Sequence, residues 1–188
     1  MLNLPNCLTL FRILTIPIFL EFLAYHYYWQ ALLVFAIGGF TDFLDGFVAR
    51  RMNQQTALGT YLDPVADKLL VITSFIMLGS IGGIPVWLAV VVVFRDVLIV
   101  VGYAIIYFWV EERLQVRPSL IGKWSTTLQL LTLAVALLML HDPSLLSDRV
   151  LQFFVGASAI ATVVSGFQYL YRGLVWFQSR ASSITPLG

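Results

Sequence analysis

The stretch TDFLDGFVARRMNQQTALGTYLDPVADK, residues 41–68, decides how the chain is read. Asp42, Asp45, Asp63 and Asp67 lie within it, four of the ten acidic residues of a 188-residue sequence that is 60% hydrophobic. An isolated carboxylate in apolar surroundings is costly, and intramembrane acidic residues pair with something or serve a site. Asp42 and Asp45 are three apart and Asp63 and Asp67 four apart, so on helices each pair lies on one face. Two neighbouring helices joined by a short loop bring the pairs together.

The surrounding sequence makes those helices membrane spans. Charged residues are 11% of the chain, against roughly 25% in soluble domains, and mean hydropathy is +0.89. A span needs about 20 apolar residues to cross a hydrocarbon core of about 30 Å. Apolar runs at 8–26, 30–49, 61–80, 84–109, 120–140 and 150–171 predict six spans. The turn signals are YHYYWQ at 25–30, NQQTALG at 53–59, GSIGGIP at 79–85, EERLQVRPS at 111–119 and HDPSLLSD at 141–148. The expected fold is an all-α polytopic membrane protein, one domain over residues 1–188, with six transmembrane helices around a cytoplasm-facing polar cavity. LNLPN at 2–6 reads as a short interfacial segment, and MLNLPN lacks the basic leader of a cleavable signal peptide. The single Cys7 has no internal disulfide partner.

With six spans, one side of the membrane holds Arg12, Arg50, Arg51, Lys68, Arg113, Arg117, Lys123, Arg172 and Arg180, nine of the eleven basic residues. The opposite loops hold Arg149, and Arg95 lies within the fourth span. Positive residues favour the cytoplasm. Both termini and the four aspartates are therefore expected on the cytoplasmic side of the cell's inner (cytoplasmic) membrane.

Four facing carboxylates repel unless they are protonated or bind cations. Oxygen-only ligands suit a hard ion, and no His or Cys is near. Two Mg2+ or Mn2+ ions would fit four carboxylates and phosphoryl chemistry. Gly46 and Ala49 follow Asp42 and Asp45 at helical spacing, Gly59 lies one turn before Asp63, and Arg50 offers a planar fork for phosphate. Solvated acidic residues at span ends are the bland alternative; two pairs interleaved with Gly, Ala and Arg weigh against it.

The pattern D-x-x-D-G-x-x-A-R, eight residues, G-x-x-x-D-x-x-x-D resembles the signature of the CDP-alcohol phosphatidyltransferase family. It is carried by Asp42, Asp45, Gly46, Ala49, Arg50, Gly59, Asp63 and Asp67. The resemblance implies a membrane enzyme that moves a phosphatidyl group from CDP-diacylglycerol to an alcohol and releases CMP. It also implies Asp42, Asp45, Asp63 and Asp67 as metal ligands, with Asp67 doubling as general base. Asp45, Gly46, Ala49, Arg50 and Gly59 would hold the CDP-diacylglycerol. No Ser, Cys or His stands in the motif as a nucleophile, which favours direct displacement. The implied partners are the two substrates, the bilayer and a second copy of the chain in a homodimer, and not nucleic acid.

LDPVADK at 62–68 and NLPNCLTLFR at 3–12 resemble the glycerol-type branch, whose members make phosphatidylglycerol phosphate or cardiolipin. Arg95 in the fourth span and Lys123 at the start of the fifth are candidates for the acceptor's phosphate. A structural Arg–carboxylate bridge and a snorkelling Lys are their bland alternatives. Arg95 is followed by Asp96, and no second Arg comes before Arg113. Fewer cations suit a phosphodiester better than a dianion, so the sequence leans to phosphatidylglycerol as acceptor over glycerol-3-phosphate. An ion-coupled transporter is the rival from another class, but no internal repeat is found.

Overall fold

The computed structural model describes the backbone of residues 4–52, 57–110 and 120–184, and side chains within 13–39, at 41, and within 68–102 and 120–175. The described residues form six helices and no strand: α1 (Leu4–Ala24), α2 (Tyr28–Met52), α3 (Ala57–Ser80), α4 (Val86–Val110), α5 (Leu120–His141) and α6 (Asp148–Ile184). The Val- and Ile-rich α4 would have strand propensity in water. Its 25 residues exceed an ordinary strand, and a helix satisfies every backbone group internally wherever water is scarce.

Two elements depart from the expected boundaries. LNLPN does not form a separate segment from residue 4 onward: α1 begins at Leu4, with Pro5 in its first turn, where the missing N–H costs nothing. α6 runs to Ile184, well past the apolar run, because RGLVWFQSRASSI contains no proline and needs no apolar face throughout to stay helical.

The turns explain the short connections. His26 adopts φ 60°, and the Tyr27 N–H reaches back to the Phe22 carbonyl at 2.8 Å. Gly82 does the same after α3 with φ 79°, and the Gly83 N–H bonds the Leu78 carbonyl at 2.9 Å. Both are left-handed C-terminal caps that satisfy orphan carbonyls. After α5, Asp142 accepts hydrogen bonds from the Ser144 hydroxyl (2.7 Å) and N–H (2.9 Å). These bonds hold its carboxyl below the usual carboxylate range.

Contacts run α1–α2, α2–α5, α5–α6, α6–α4, α4–α3 and α3–α1, a closed ring, with α3–α5 crossing its middle. Phe19, Leu23, Phe35, Phe75, Leu78, Leu88, Val92 and Leu137 form the apolar core. They come from the end of α1, the start of α2, the end of α3, the start of α4 and the end of α5, which in an up-and-down bundle is one end of the molecule. The other half carries the buried polar residues Arg95, Asp96, Ser125, Gln129, Thr162 and Ser165. There Gln129 donates to Thr162 Oγ1 at 2.9 Å, joining α5 to α6.

The surface is inverted relative to a soluble domain. Phe94, Phe153, Ile160 and Phe167 are 67–68% exposed, while Asp96 and Ser165 are fully buried. Exposed apolar area on this scale marks a surface that meets something other than water. Among the described residues, two helical segments, Leu120–His141 and Asp148–Val175, are long and apolar enough to cross a membrane.

Candidate active site

The four aspartates divide between two helices. Asp42 and Asp45 belong to the second half of α2, Asp63 and Asp67 to the first half of α3. Asp42 and Asp67 each stand ten residues in from the loop that joins Met52 to Ala57. At 1.5 Å rise per residue, both are about 15 Å from the helix ends; Asp45 and Asp63 are both about 10 Å from them. Just beyond this level α3 reaches α2 through a side chain, since a Cβ on Gly38 would sit 3.8 Å from Leu70 Cδ2. The backbone thus puts the two pairs at matching depth. The side chains of Asp42, Asp45, Gly46, Ala49, Arg50, Gly59, Asp63 and Asp67 lie outside the described residues.

One residue beyond Asp67 the side chains are described, and they form a cleft of about 420 Å3. Lys68 of α3, Arg95 and Ile99 of α4, Gly122, Lys123, Thr126 and Thr127 of α5, and Tyr169 of α6 line it. The structure therefore brings the two expected acceptor residues, Arg95 and Lys123, to one cleft.

Arg95 is 5% exposed and held on three sides. Its Nη1 donates to Asp96 Oδ1 at 2.6 Å and its Nη2 to Ser165 Oγ at 2.6 Å. Its guanidinium carbon lies 5.7 Å from the centre of the Tyr169 ring, within cation–π range. Lys68 Nζ donates to the same Asp96 Oδ1 at 2.7 Å. Lys123 is exposed at the cleft and makes no ion pair among the described residues. The described cluster thus sets three cations against one carboxylate. Such a cleft attracts phosphate, and its Lys and Arg donors match phosphate oxygens.

Sequence reasoning missed Lys68, Ser165 and Tyr169, and gave Asp96 no role at the site. A signal for Lys68 existed. A buried carboxylate at position 96 requires a cation, and Lys68 directly follows the aspartate motif. Ser165 and Tyr169, in the sixth helix, carry no such mark.

A family model described as CDP-alcohol phosphatidyltransferase matches residues 2–166. The chain is 33% identical over 186 residues to the CDP-diacylglycerol--glycerol-3-phosphate 3-phosphatidyltransferase of Bacillus subtilis (strain 168), covering 90% of this chain and 94% of that one. It is 36% identical over 179 residues to the protein of the same name from Sodalis glossinidius (strain morsitans), with coverage of 90% and 94%. It is also 32% identical over 182 residues to a cardiolipin synthase (CMP-forming) / mitochondrial hydrolase fusion protein of Schizosaccharomyces pombe, across 87% of this chain and 30% of that longer protein. The aspartate pattern on α2 and α3 and the match over most of the length agree: the chain belongs to the CDP-alcohol phosphatidyltransferase family, enzymes of phospholipid synthesis.

Proposed function

We propose that the enzyme transfers the phosphatidyl group of CDP-diacylglycerol to glycerol-3-phosphate, releasing CMP and forming phosphatidylglycerol phosphate. The observation that carries this reading is the convergence of Lys68, Arg95 and Lys123 on one cleft, with Asp96 the one carboxylate among the described residues that pairs with them. A dianionic headgroup needs several cations. The missing second Arg after Arg95 argued for a less charged acceptor, but Lys68 supplies that charge from another helix. The names of the B. subtilis and S. glossinidius relatives point the same way.

In this reading Lys123, Arg95 and Lys68 hold the acceptor's phosphate at the cleft. Asp67, adjacent to Lys68 in sequence, takes the proton of the attacking hydroxyl as its oxygen bonds to phosphorus. Asp45, Gly46, Ala49, Arg50 and Gly59 hold the CDP-diacylglycerol. Asp42, Asp45, Asp63 and Asp67 would bind two divalent cations, Mg2+ or Mn2+. An all-oxygen donor set with two carboxylates per helix at matching depth fits such ions. When bound, they neutralise the diphosphate and stabilise the leaving CMP. The bundle would cross the inner membrane six times with both termini and the cleft cytoplasmic, a reading supported by the basic-residue asymmetry and the apolar outer surface.

Phosphatidylglycerol is the second reading. It is favoured by Asp96, which already offsets one of the three cationic charges, and by the S. pombe relative. Incubating the purified enzyme with CDP-diacylglycerol and either acceptor, followed by lipid mass spectrometry, separates the two. Phosphatidylglycerol phosphate is the expected product, and a four-chain lipid formed from phosphatidylglycerol alone would establish the second reading instead.

A further inference from the structure

We propose that Asp96 is a positioning residue for the acceptor: it fixes Lys68 and Arg95 together so that both cations face the cleft. The inference rests on the reading of the cleft as the acceptor-phosphate site. Asp96 is fully buried and does not line the cleft, so it acts through its partners and not on the substrate. Both cations meet its Oδ1, Lys68 at 2.7 Å and Arg95 at 2.6 Å. Its Oδ2 is buried with no hydrogen-bond partner, as is Arg95 Nε. A bridge built for stability would use both oxygens and the paired N–H groups of the guanidinium. Here the geometry gathers two mutually repelling charges on one oxygen, side by side at the cleft wall. Ser165 completes the cradle by holding Arg95 Nη2 at 2.6 Å from α6. Without the carboxylate, Lys68 and Arg95 repel and separate, and the acceptor loses two donors at once. Among the described residues, these contacts join α3, α4 and α6 and involve no side chain of α2.

The test measures CMP release by Asp96→Asn, Asp96→Glu, Ser165→Ala and Lys123→Ala, varying glycerol-3-phosphate and CDP-diacylglycerol in turn, together with the thermal midpoint in detergent. Asp96→Asn should raise the acceptor KM about tenfold or more, the scale of one charge-assisted hydrogen bond, and leave the donor KM unchanged. Asp96→Glu should recover most of the loss, because it restores the shared charge. Ser165→Ala should raise the acceptor KM about threefold at an unchanged midpoint, the scale of one weaker hydrogen bond. If Asp96→Asn fails to fold, the KM split in Ser165→Ala decides. An unchanged acceptor KM in Ser165→Ala and Asp96→Asn overturns the inference, as does an equal rise in both KM values with a lowered midpoint. If Lys123→Ala raises the acceptor KM while the other two do not, only the role of Asp96 falls. If none of the three does, the cleft is not the acceptor site.

Discussion

Replacing Lys123 by Ala removes, among the described residues of the cleft, the one cation that Asp96 does not already engage. Lys68 and Arg95 are tied to that carboxylate, whereas Lys123 is exposed and makes no ion pair among the described residues. Truncation orphans no buried partner, so stability should stay within about 0.5 kcal/mol of wild type, as for most surface changes. The loss appears only with acceptor bound. One charge-assisted hydrogen bond is worth about 1.5–3 kcal/mol. At a solvent-exposed cleft mouth, with two cations remaining, screening lowers this to about 1–1.5 kcal/mol. That corresponds to an acceptor KM about 5- to 12-fold higher. The assay follows CMP release with glycerol-3-phosphate varied at saturating CDP-diacylglycerol, then the converse. The defect should shrink as ionic strength rises, because salt weakens the wild-type contact, and Lys123→Arg should recover most of it. A raised donor KM with an unchanged acceptor KM would move Lys123 to the nucleotide side, and no change in either would refute its role.

Asp67→Asn should lower kcat by about 10²–10⁴-fold, the usual cost of losing a general base, with CDP-diacylglycerol binding largely intact. Wild-type turnover would remove Asp67 from the chemistry. Chelation should abolish activity and Mg2+ or Mn2+ restore it, with Ca2+ a poor substitute because it prefers longer bonds and more ligands. Full turnover in excess chelator would return the aspartates to a structural role. Gly83→Ala places a Cβ 2.7 Å from Leu140 Cδ1 and 3.0 Å from Leu78 Cδ2. Overpacking of this kind costs about 1–3 kcal/mol, so the thermal midpoint should fall while both KM values hold, since Gly83 lies at the apolar end of the bundle. An unchanged midpoint would show that Leu140 yields freely.

The parts legible in the sequence are those set by local spacing. Asp42 with Asp45, and Asp63 with Asp67, are one helical turn apart whatever else the chain does, and the apolar runs around them are long enough to require helices. The caps were readable for the same reason: HDPSLLSD ends one helix at His141 and starts the next at Asp148, and GSIGGIP supplies the glycine that adopts φ 79°. The extension of α6 to Ile184 was not readable from hydropathy, since helix formation beyond the apolar run needs only the absence of breakers.

The cleft lined by Lys68, Arg95 and Lys123 was decided by tertiary structure. Arg95 and Lys123 were marked singly as charges within or beside apolar runs, but their convergence depends on how the six helices are ordered around the ring. Lys68 reaches Asp96 across 28 positions and Arg95 reaches Ser165 across 70. No periodicity encodes such pairs, because a helix fixes the direction of a side chain and not the neighbour it meets. The sequence by itself determined the helices, the motif and the family to which they point. Only the packing of α3, α4, α5 and α6 brought a third cation to the cleft. In the proposed reading that cation shifts the balance towards a dianionic acceptor, because charge at a site sums over every helix that lines it.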